Sequence, residues 1–72
     1  MEEIQTKLQI LEDYSASLEV DIQTTKEQIF NEEDETHIIF LNDHLRVLRF
    51  EFHKVNADIY LFRRKVKKFK LN

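Results

Sequence analysis

Glycine and proline are both absent from this sequence, and cysteine and tryptophan are absent with them. Without Gly and Pro the chain lacks the residues that normally supply tight turns, β-hairpin loops and phosphate-cradling backbones, so sheet-rich architectures and P-loops are excluded as expectations. Without Cys there is neither a disulfide framework nor a thiolate zinc site to staple a small fold. Long apolar runs are also missing, none exceeding the four residues of Ile38 to Leu41. No transmembrane stretch, secretory signal or lipidation motif is visible, and the expected setting is intracellular and cytoplasmic. At 72 residues the chain has room for one small core and not for a large active-site cavity. It is 42% hydrophobic and 35% charged, too apolar for a disordered segment and too charged for a membrane span.

What is present is unevenly distributed. From Met1 to His37 there are eleven acidic residues against Lys7 and Lys26, whereas from Ile38 onward nine basic residues face only Asp43, Glu51 and Asp58. The net charge of −3 therefore conceals an acidic first half and a basic second half. Such a split lets the halves attract each other, or lets each seek a different partner.

Apolar spacing organises both halves as helices. Ile4, Leu8, Leu11, Ser15, Leu18, Ile22, Thr25 and Ile29 follow alternating steps of four and three, the seam of a heptad repeat weakened locally by Ser15 and Thr25. In the second half the repeat is unbroken. Ile38, Leu41, Leu45, Leu48, Phe52, Val55, Ile59, Phe62, Val66 and Phe69 contain no polar member, and the run is far too long for a strand. The two repeats are out of phase across the segment from Asn31 to Thr36, so a single straight seam is disfavoured.

The expected fold is all-α, an antiparallel two-helix hairpin in one domain spanning residues 1–72, assembling further into a helical bundle. Helix one is expected over about residues 2–30, a turn over 31–34 and helix two over 35–70, with Asn31 ending the first helix or capping the second and the following acids suiting a helix N-terminus. The missing Gly and Pro leave one continuous bent helix as the alternative. Charge suggests a register in which Leu8 meets Val55 and Leu18 meets Leu45, because it sets Glu12 near Arg49, Lys7 near Asp58 and Asp21 near His44. One heptad further along, Lys7 would approach Lys65 and Asp21 would approach Glu51. In the charge-favoured register Phe62 to Asn72 projects past helix one as a basic, partly apolar overhang.

Three features carry candidate chemistry. Opposite its seam, helix two has a second apolar ridge, Phe40, Val47, Phe50, Ala57 and Leu61, interrupted by Asp43 and Lys54. One hairpin partner cannot cover both faces, so self-association or a foreign helix is expected there. Near the end, Arg63, Arg64, Lys65, Lys67, Lys68 and Lys70 form a basic tail suited either to a helix C-terminus meeting acids or to phosphates of nucleic acid or anionic membrane. His37, His44 and His53 invite a metal reading, with Glu33 and His37 at i, i+4 spacing, but no second ligand pair converges with them. Ser15 has no acid or His placed to activate it as a nucleophile.

These observations point away from catalysis, metals and cofactors and toward a protein-protein interaction module of the adaptor or small co-chaperone type. Its partner would be itself or an amphipathic helix, contacted through Leu41, Leu45, Leu48, Phe52, Val55, Ile59, Phe62, Val66 and Phe69 together with Phe40, Val47, Phe50 and Leu61. The runner-up is a nucleic-acid-binding regulator using the basic tail, although no helix-turn-helix is recognisable. A structural coiled-coil rod is the third reading.

Overall fold

The computed structural model describes residues 2–71, apart from the side chains of Glu2, Ile4, Phe69, Lys70 and Leu71. Helix α1 spans Glu2–Asn31 and helix α2 spans Glu35–Leu71, joined by residues 32–34. Neither segment contains Gly or Pro, so nothing in them breaks an i to i−4 ladder and each continues until turn chemistry stops it. The two helices pack antiparallel into a hairpin 57 Å long and 14 Å across in its other two directions.

The turn is built without a left-handed residue: among the described residues no φ is positive. Carboxylates replace the usual glycine device. Glu32 folds its side chain back so that Oε1 accepts from the backbone N–H groups of Glu33 and Asp34, each at 3.1 Å. Asp34 is the N-cap of α2, its Oδ1 accepting from Thr36 N–H at 3.0 Å while its carbonyl accepts from Ile38 N–H at 2.9 Å. At the other end α1 tightens, with Glu32 N–H donating to Ile29 at 3.3 Å. Asn31 thus ends α1 and Asp34, not Asn31, caps α2.

The core is the seam between the helices. Leu18, Ile22, Leu41, Leu45, Val55 and Ile59 are buried, and Leu8, Leu11, Leu48 and Phe52 pack partly buried against Leu18, Val55 and Ile59. The polar interruptions of the first repeat are satisfied rather than tolerated. Buried Thr25 turns its hydroxyl onto the Asp21 carbonyl at 2.8 Å, one turn back in its own helix. Ser15 donates its hydroxyl across the seam to Asn56 Oδ1 at 2.8 Å.

That cross-seam bond corrects the register suggested by charge. Ser15 lies beside Asn56, Leu18 packs with Val55 and Ile59 rather than Leu45, and Glu12 faces Arg63 at 4.0 Å rather than Arg49. Magnitudes explain the outcome. An exposed ion pair is worth a few tenths of a kcal/mol, whereas covering another apolar side chain is worth about 1.5 to 3 kcal/mol when burial is complete. The overhang changes accordingly: Phe62 and Val66 are half-buried, and Val66 lines one groove with Leu8. Phe69, the remaining seam residue of the expected overhang, has its side chain outside the described residues.

A single core in a chain this short supplies only about 3 to 5 kcal/mol of net stability. Ile59→Asp places an unpaired charge among Leu18 and Val55 and is expected to cost at least that much. The variant should lose its helical circular dichroism at room temperature, while Lys54→Asp on the exposed side of the same helix retains it.

Candidate interaction surface

The residues singled out along α2 separate into two opposite faces, because steps of three and four keep each set on one side of a helix. Leu41, Leu45, Val55 and Ile59 are buried, and Leu48, Phe52, Phe62 and Val66 half-buried, on the face toward α1. Their apolar surface is used inside the hairpin. The other face is open: Phe40 and Phe50 are each 71% exposed, Val47 59% and Leu61 53%. Asp43, Lys54 and Ala57 share that face and are exposed with them. Ile39 and Tyr60, not singled out by the heptad pattern, extend its flank at 71% and 61% exposure. Their steps from Phe40 and Leu61 are too short to register as ridge members, yet one residue of offset still leaves them beside the ridge.

The basic tail meets α1 through Arg63 and its own helix through Arg64 and Lys65. Arg63 reaches toward Glu12 of α1 at 4.0 Å. The Arg64 guanidinium lies over the Tyr60 ring at 5.9 Å, and the Lys65 ammonium over the Phe62 ring at 5.3 Å. Lys67 and Lys68 are exposed, and the Lys70 side chain lies outside the described residues.

The histidines take ordinary polar roles where the structure gives them partners. His37 meets Glu32, with Nδ1 to Oε2 at 2.6 Å, rather than Glu33. No cluster of three or more His, Asp or Glu side chains is placed to hold a metal among the described residues. Ser15 is engaged with Asn56, a partner that the sequence reading missed because Asn56 flanks the seam instead of belonging to its three-four spacing. Among the described residues no helix is long and apolar enough to cross a membrane. No protein-family model, no curated protein and no solved structure matches the chain.

The carboxyl of Glu32 is held below the usual glutamate range, first by the Asp34 N–H, then by the hydrogen bond to His37, with their attraction and the Glu33 N–H adding to it. A depressed folded-state value stabilises the fold in full above the unfolded-state value and ceases to do so as pH falls through the folded one. Glu32→Gln should therefore melt below the parent chain at neutral pH. The gap should narrow as acid protonates Glu32 in the parent, which thermal melts followed by circular dichroism at pH 7 and at successively lower pH will read.

Proposed function

We propose that the protein is a non-enzymatic assembly module whose working surface is the outer face of α2. The observation that carries this reading is the exposure of Phe40, Val47, Phe50 and Leu61 on one face of a helix whose opposite face is already buried. Isolated exposed apolar side chains are ordinary on a soluble protein, but aromatic and aliphatic groups repeated along a single stripe are the mark of an interface. A second pair of helices laid on the stripe would complete a four-helix bundle from two hairpins, and a partner's amphipathic helix would fill it in the same manner. Charged residues beside the stripe then set orientation and partner choice more than affinity.

Sedimentation equilibrium at micromolar concentration should give a mass above that of one chain. Phe40→Ser combined with Phe50→Ser should weaken association by about a hundredfold or more, from the loss of two aromatic contacts in each copy, with helicity retained. A parent chain that sediments at the single-chain mass overturns self-assembly. Binding to random duplex DNA that fades with salt and survives the double substitution would favour the nucleic-acid reading instead.

A further inference from the structure

We infer that the partner for the outer face of α2 is a second copy of the same chain, laid antiparallel so that Val47 of each copy meets Phe50 of the other. This rests on the assembly reading above and specifies its partner and geometry. The ridge reads Phe40, Asp43, Val47, Phe50, Lys54, Ala57, Leu61 and Arg64, alternating steps of three and four like the inner seam. Its two interrupting charges have opposite sign and lie symmetrically about Val47 and Phe50. In the antiparallel arrangement Asp43 of each copy faces Lys54 of the other, and the large Phe40 faces the small Ala57. Both charged layers are thereby neutralised on either side of a central apolar layer.

The alternatives fail at the same positions. A parallel pair in register stacks Asp43 on Asp43 and Lys54 on Lys54, setting like charges directly opposite inside the interface. Sliding the antiparallel pair one heptad in one direction puts Asp43 opposite Val47. The other direction sets Asp43 opposite Leu61, Phe50 opposite Lys54 and Phe40 opposite Arg64. Asp43 pairs with Arg46 on its own helix, but each slide sets it against an apolar side chain of the facing copy and gives it no opposite charge across the interface, so its desolvation is not offset there.

The ends of the molecule agree with the chosen arrangement. Past Leu61, the basic segment Arg63, Arg64, Lys65, Lys67 and Lys68 runs level with the other copy's turn, where Glu32, Glu33, Asp34 and Glu35 are concentrated. Two such contacts form by symmetry, as an isologous two-fold interface requires. The same arrangement brings Ile39 beside Tyr60 of the second copy, covering the flank residues that the hairpin leaves exposed. It gives the charge division between the halves of the sequence a use between chains as well as within one.

The absence of native cysteine makes the geometry directly testable. Phe40→Cys and Ala57→Cys variants, mixed and oxidised, should yield a disulfide-linked dimer, whereas neither variant alone should, because like positions lie about 25 Å apart at 1.5 Å per residue. In parallel, Asp43→Lys and Lys54→Asp should each weaken association about tenfold or more, and the two together should restore it, since two cross-chain pairs are inverted in each single variant. Both positions are exposed, so helicity is retained throughout. A dimer mass with crosslinks from each single variant, or with no rescue by the double reversal, overturns the antiparallel pairing and leaves the assembly reading standing. A single-chain mass for the parent overturns the second copy as partner and leaves the outer face to a helix of another protein.

Discussion

Two helices joined by three residues have one place to hide apolar surface from each other, the strip along which they touch. Everything else in this molecule follows from how that strip is filled. Leu18, Ile22, Leu41, Leu45, Val55 and Ile59 occupy it, and α1 can offer no second strip to α2. A helix with apolar stripes on two opposite sides therefore satisfies one within the hairpin and presents the other to its surroundings. The candidate surface is the geometric remainder of the fold, which is why its residues could be assigned to a face before any contact was known.

The helices, the hairpin and the composition of both stripes of α2 were legible in the sequence because each rests on many residues repeating with one period. Register was not, because it rests on few. The pairs Glu12 with Arg49 and Lys7 with Asp58 are solvent-exposed attractions, each too weak to oppose even partial cover of Phe62 or Val66. A heptad seam is equally regular at every step of seven, so periodicity itself cannot choose among registers. The choice is reflected in Ser15 and Asn56, an uncharged pair meeting across the seam at 2.8 Å. A polar pair between helices is satisfied only when both members stand level, and that makes it informative about alignment.

The turn shows a different kind of illegibility. Its location could be read from the break in phase between Ile29 and Ile38, but its construction could not, since no glycine marks a helix end and four consecutive acids give no hint which of them will bend inward. Glu32 accepts two backbone N–H groups and meets His37, while Asp34 takes the N-cap. The acids on either side, Glu33 and Glu35, are exposed. Identical side-chain chemistry thus divides into structural and solvated roles by position relative to the first free N–H groups of α2.

The hairpin is only 14 Å across in two of its three dimensions, and among its described residues no large side chain is completely enclosed. Water is never more than about one side chain away from any charge it carries. Unit charges 4 Å apart in such surroundings interact with roughly 1 to 4 kcal/mol, the range between bulk solvent and a protein surface, and not with the larger energies of a dry interior. The molecule's electrostatics are accordingly those of a solute rather than of a cavity. They act over about a Debye length, near 8 Å at physiological ionic strength, and reach approaching surfaces as a gradient from acidic turn to basic end, giving this slender rod a polarity of approach that its apolar stripe alone would lack.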